Sequence, residues 1–225
     1  MIVLTALLLL SGTADTPQGP KQKKAAPAPK MLYKVAPRND ASRTLQQYSE
    51  CLVETEKPAR LNAYLSIPPE APEFGPESAK LATARCAPSR GNDYTLRFQP
   101  NVMRAGLYDA LYRVRFRLNP IDISAVPALD VSKEFSKSPS GATVMFRSIG
   151  DCIARAHPAE VRALLLTRQA SNDEKAAMAP LKPAFGACVP SGTKITFRRE
   201  ILRGMLAEAL YKLSVAARSA PAGGK

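Results

Sequence analysis

The sequence predicts a mainly α-helical protein built from two tandem, homologous four-helix units, residues 43–118 and 144–218, each with one short extended segment able to pair across the copies. Three observations predict this. Residues 104–113 read RAGLYDALYR, and 99 positions later residues 203–212 read RGMLAEALYK. The four cysteines lie inside the two units as pairs of nearly equal spacing, Cys51 with Cys86 and Cys152 with Cys188. Other matches recur in the same order: Pro58-Ala59 with Pro158-Ala159, Ala63 and Leu65 with Ala163 and Leu165, Pro88-Ser89 with Pro190-Ser191, and Leu96 and Phe98 with Ile195 and Phe197. Self-similarity over such a distance marks a duplicated supersecondary unit.

The first element is a signal-like start. Residues 2–10 form an apolar run shorter than the roughly 20 residues a membrane span needs, but of a length that suits the core of a signal peptide. Gly12 and Ala14 supply small residues for a cut after Ala14, giving a signal peptide over 1–14. No Lys or Arg precedes the run, so the basic leading region of such signals is missing. Residues 15–42 combine Pro, Ala and Lys with few large apolar side chains, and read as a disordered tether. Lys21, Lys23, Lys24 and Lys30 are its candidate contacts with an anionic surface.

Within the first unit, residues 43–54 place Leu45, Tyr48 and Leu52 on one helical face with Cys51 beside it. A second helix opens at Pro58, which is tolerated in a first turn because its missing N–H has no partner there, and ends at Pro68-Pro69. A third, residues 76–87, carries Cys86, so a Cys51–Cys86 bridge staples the first helix to the third. The plan repeats at 144–156, 158–168 and 172–189, with Pro180 and Pro183 expected to interrupt the last. The alternating runs DYTLRF and KITFRR then read as short strands or as plain extended connectors.

The final helix of each unit carries an apolar stripe: Met103, Leu107, Ala110, Leu111 and Val114 in one, Ile201, Met205, Ala209, Leu210 and Leu213 in the other. Ala105-Gly106 and Gly204 interrupt good helix-forming sequence. Glycine costs about 1 kcal/mol there relative to alanine, so a neighbour is expected to approach closely. Asp109 with Arg113, and Glu208 with Lys212, stand four apart and predict surface ion pairs. Residues 119–143 form a connector and 219–225 a disordered tail.

With no CxxC and a single histidine, His157, the cysteines fit disulfides rather than a metal site. Each bridge would stabilise the fold by roughly 3–4 kcal/mol through the unfolded chain and requires an oxidising compartment. The net charge of +13 favours anionic neighbours. An anionic envelope component or a protein is the expected partner. Nucleic acid is not, because no zinc finger, RRM signature or basic-region heptad occurs.

Candidate chemistry is sparse. Glu50 and Asp151 occupy matched places before the first cysteine of each unit, but general acid–base work needs a second group placed across a cleft. Arg104 and Arg203 match early in the final helices, and Tyr112 and Tyr211 match late in them, so these four are the candidate binding residues. No GxSxG, HExxH, Walker loop, GxGxxG or EF-hand loop is present. No catalytic residue, metal or cofactor is predicted.

ECLV and DCIA each followed by Pro-Ala, a third helix ending in ACVPSG, then ITFRR and LRGMLAEALYK: this combination resembles uncharacterised exported proteins of sphingomonad-type alphaproteobacteria. The resemblance implies export and a duplicated cysteine-paired unit, and brings no activity with it. The leading expectation is a non-enzymatic exported binding or interaction module. The alternatives are a hydrolase using the duplicated acids Glu50, Asp151, Asp109 and Glu208, and a scaffold that self-associates.

Overall fold

The computed structural model describes residues 38–87, 98–130 and 133–219. The expected signal peptide, Lys21, Lys23, Lys24 and Lys30 of the tether, residues 93–97 of the first extended run and residues 220–225 lie outside them. Mainly α-helical architecture is what forms: α1 (Arg38–Thr55), α2 (Pro58–Leu65), α3 (Phe74–Leu81), α4 (Pro100–Phe116), α5 (Gly141–Ala156), α6 (Pro158–Leu166), α7 (Asn172–Met178), α8 (Lys182–Cys188) and α9 (Arg199–Ser219). No strand occurs among the described residues: of the two readings of 194–199, the extended connector is what forms, a lead that turns into α9. Its side chains Ile195 and Phe197 pack on the core individually, so it is held without a ladder.

Local chemistry accounts for the helix starts. Pro58, Pro100 and Pro158 open α2, α4 and α6, where a missing N–H costs nothing. Ser140 caps α5 by accepting the Thr143 N–H at 3.2 Å, and Ser171 caps α7 by accepting that of Glu174 at 3.1 Å. Pro180 and Pro183 interrupt the α7–α8 segment as the sequence predicts, with a 3₁₀ turn over Ala179–Leu181 between the two helices.

Both disulfides are formed. Cys51 and Cys86 have Cα atoms 5.6 Å apart, and Cys152 and Cys188 have theirs 5.8 Å apart. The first bridge departs from expectation in one respect. Helix α3 stops at Leu81, and Cys86 sits in a separate 3₁₀ turn, Ala84–Cys86. The Tyr48 hydroxyl explains the break: it donates to the Thr83 carbonyl at 3.1 Å and accepts the Thr83 N–H at 2.8 Å, holding the chain out of helix and level with α1.

The two helices that echo one another in sequence are the centre of the molecule. Every residue of α4 from Met103 to Tyr112 is buried, and α4 packs against α9, α1, α6 and α3. Helix α9 in turn packs against α5 and α6. Small residues mark each close approach, as the sequence predicts for Ala105-Gly106 and Gly204. Leu45 and Ser49 of α1 cross at Gly106, Met205 and Ala209 of α9 cross at Gly150 of α5, and Ala105 of α4 lies against Gly204 of α9. The predicted stripes are buried except at their ends, where Val114 is 46% exposed and Ile201 half-buried.

A methyl group added at Gly204 would lie 2.2 Å from the Ala105 Cβ and 2.5 Å from its Cα, a clash with backbone that no rotamer change relieves. Gly204→Ala should therefore cost about 2 kcal/mol or more in urea denaturation, although alanine is the better helix former. Gly186→Ala in α8 is the control: its methyl meets open space, so the change should be neutral or stabilising by up to about 1 kcal/mol.

Candidate ligand cavity and its charge cluster

The last carbonyls of α2 and α6 have no partners within their own helices, and each set receives an arginine from an echo helix. Arg104 of α4 donates to Leu65 O at 2.8 Å and Ile67 O at 3.3 Å. Arg203 of α9 donates to Leu165 O at 2.7 Å and Thr167 O at 3.0 Å. Each arginine then reaches across to a carboxylate on the other echo helix. Arg104 pairs with Glu208 at 3.0 Å, and Arg203 pairs with Asp109 at 3.1 Å. The partners in one pair stand 99 positions from their counterparts in the other. A reciprocal contact of this kind is what a two-fold interface produces.

This arrangement corrects one expectation. Asp109 does not form a surface pair with Arg113; it is buried, with Arg203 on one oxygen and Gln169 Nε2 at 3.0 Å on the other. Arg113 turns instead to Glu50 at 2.7 Å and to the Leu165 and Thr167 carbonyls. Close packing of α4 against α9 buries the face on which the i,i+4 pair would have lain. The Glu208–Lys212 pair does form, at 3.2 Å, but within a partly buried cluster.

The four candidate binding residues separate into different environments. Arg203 is 1% exposed, and its donors are taken by Asp109, Glu174, the α6 carbonyls and the Thr167 hydroxyl. Tyr112 and Tyr211 are buried at the far end of α4 and α9, both stacked or edged against Phe116. Burial raises the pKa of both hydroxyls, against the opposing pull of Arg162 on Tyr112 and of Arg115 on Tyr211. Arg104 lines an apolar-walled cavity, and Tyr211 borders a more open depression on the other side of the cluster.

That cavity, about 390 Å³, lies where α4, α5 and α9 meet. Ala105, Gly204, Met205, Ile201 and Phe146 make apolar walls, and Arg104, Arg147, Glu208 and Glu70 supply the polar groups. Glu70 is held at the start of α5, accepting the Ser140 N–H and the Thr143 hydroxyl. Desolvation would raise its pKa, but these hydrogen bonds outweigh that and leave it lowered. At the other end Arg104 and Arg147 both pair with Glu208, and Phe135 of the connector covers both guanidinium groups, 5.5 and 3.8 Å from its ring centre.

The cluster extends behind the cavity. Glu134 of the connector binds Arg147 and Lys212, and Lys212 also meets Glu208. Three cations, Arg104, Arg147 and Lys212, thus pair directly with two carboxylates, Glu134 and Glu208, and Glu70 across the cavity adds a further negative charge that acts on Arg147. Desolvation, reinforced by repulsion from Arg147 and Arg104, lowers the Lys212 pKa to about 7 despite Glu134. Strongly perturbed groups beside a cavity are candidates for a functional site. A more open depression, about 410 Å³, reaches the same cluster from the side of Tyr108, Tyr211 and Val215.

Sequence reasoning did not single out Arg147, Glu134 or Phe135. Arg147 had a signal: counted from the first cysteine of each unit, it stands where the first has Gln46, a charge in place of an amide on an otherwise apolar face. Glu134 and Phe135 had none, because their positions depend on how the connector lies. Glu50 and Asp151, the matched acids, are occupied by Arg113 and by Arg155 at 2.8 Å. His157 ends α5 and precedes α6, 4.0 Å from Glu160. No family model matches this chain, and no curated protein or solved structure matches it either.

Lys212 links the cluster to pH. Its folded pKa lies below the ordinary 10.5, so between about pH 7 and that value the unfolded chain binds the extra proton and folding stability rises with pH. From pH 7 to about 9.5, below the tyrosine range, urea midpoints should rise in the native protein, with a slope from this group of at most about 1.4 kcal/mol per pH unit. Lys212→Met should flatten the rise. Equal slopes in the two proteins would show that Lys212 does not titrate in this window.

Proposed function

We propose that this chain is an exported, non-enzymatic binding module for an anionic partner, and that the cavity between α4, α5 and α9 takes a small amphiphilic carboxylate. The observation that carries the reading is the pairing of apolar walls with two guanidinium groups that both pair with Glu208. A ligand carboxylate at that end would accept charge-assisted hydrogen bonds from Arg104 and Arg147 beside Glu208. An alkyl or aromatic tail would lie on Met205, Ile201 and Phe146. The volume is in the range of small-molecule sites.

Two disulfides support export, since such bonds persist in oxidising compartments. No helix among the described residues is long and apolar enough to cross a membrane. The module is further proposed to be two copies of one ancestral unit packed as an internal dimer. The reciprocal arginine–carboxylate pairs and the matched disulfides support that history.

Titration calorimetry with decanoate, and with decanol as the uncharged control, tests the site. Decanoate should bind, and decanol should bind roughly tenfold more weakly or worse, for the loss of one charge-assisted interaction. Ala142→Trp, at the cavity lining, should abolish decanoate binding without changing the fold. Equal affinity for the two ligands, no binding of decanoate, or retained binding in Ala142→Trp would overturn the carboxylate-site reading.

A further inference from the structure

At the C-terminal ends of α4 and α9 the surface changes character. Leu118 is 80% exposed and Val114 46% exposed, the two most exposed large apolar side chains among the described residues. Around them stand Arg115, Arg117, Arg162 and Arg218. They belong to one place: Arg162 donates to the Arg117 carbonyl at 2.8 Å, Arg218 lies 4.6 Å over the Phe116 ring, and Arg115 donates to the Tyr211 hydroxyl, whose ring edges onto Phe116. None of the four guanidinium groups has a carboxylate partner among the described residues, whereas Arg104, Arg113, Arg147, Arg155 and Arg203 all do.

We infer that this end of the molecule is a docking surface for an anionic lipid bilayer. Four uncompensated positive charges on one surface call for an anionic partner, and each basic group near a negatively charged leaflet adds about 1 kcal/mol of attraction that salt screens. The exposed leucine and valine select among anionic partners. A hydrated polyanion gains nothing from them, while the boundary between headgroups and acyl chains accepts apolar side chains flanked by basic ones. The tyrosines Tyr112 and Tyr211, matched in the sequence, are the buried supports of this surface: Arg162 and Arg115 are held against them. The surface is separate from the cavity, so the two assignments stand or fall independently.

Co-sedimentation with vesicles of phosphatidylcholine, with and without phosphatidylglycerol, is the test. The protein should sediment with the phosphatidylglycerol vesicles, release in high salt, and remain in solution with phosphatidylcholine alone. Arg117→Glu should weaken apparent vesicle affinity roughly tenfold or more, as expected for reversing one charge at the bilayer surface. Leu118→Asn should weaken it several-fold. Both side chains are exposed, so neither change removes a core contact. The N-terminal lysines are common to all the proteins compared, and the differences therefore report on this surface. No binding to phosphatidylglycerol vesicles, or binding unchanged by both substitutions, would overturn the inference. So would weakening by Arg117→Glu with no effect of Leu118→Asn, which would mark a site for a soluble polyanion.

Discussion

The approach of α4 to α9 is the constraint on which the rest of the structure depends. Contact between Ala105 and the backbone of residue 204 is possible only because that residue is glycine. At this separation Arg104 reaches Glu208 and Arg203 reaches Asp109, and only one register of the two helices satisfies both pairs. Buried ion pairs add little net stability over apolar packing, but breaking one strands a charge at a cost of roughly 3–5 kcal/mol. The seam therefore acts as a register lock. Apolar burial supplies the adhesion, and the arginines determine where it is allowed.

From that seam the molecule diverges into a closed side and an open one. Around Arg203 the space is filled by Glu174 of α7 and by Gln169, whose side chain binds Asp109 and whose N–H is taken by Gln46 at 2.8 Å. Around Arg104 the corresponding space is the cavity. Arg147 replaces Gln46 there, and the connector brings Glu134 and Phe135 onto the guanidinium groups. The same arginine position thus serves once as a helix-end plug alone, and once as a plug that also forms the wall of a cavity. The concentration of unlike charges and the lowered Lys212 pKa fall on the open side.

Much of the fold was legible in the sequence because it rests on local signals. Helical periodicity, prolines at helix starts, two prolines interrupting a third, and glycines at crossings are each read from a few neighbouring residues. The cysteine spacing paired correctly for the same reason. What failed depended on tertiary placement. Asp109 and Arg113 have the spacing of a surface pair, yet burial of α4 on nearly all sides redirected both. The helix expected to carry Cys86 breaks because the Tyr48 hydroxyl, 35 residues away, takes the backbone of Thr83. Of the cavity's charged groups only Arg104 and Glu208 stood out in the sequence; Arg147 comes from α5 and Glu70 from the segment between α2 and α3, and no local pattern brings them together.

The central claim is that α4 and α9 lock the two halves into one cooperative unit. Native-state hydrogen exchange with both disulfides intact tests it most directly, by comparing the slowest amides of residues 103–112 with those of residues 205–214. The account predicts that both sets exchange only through global unfolding, with the same opening free energy and the same dependence on denaturant. A lower opening free energy for one helix, with the other still protected, would show that the halves unfold separately and would contradict the lock.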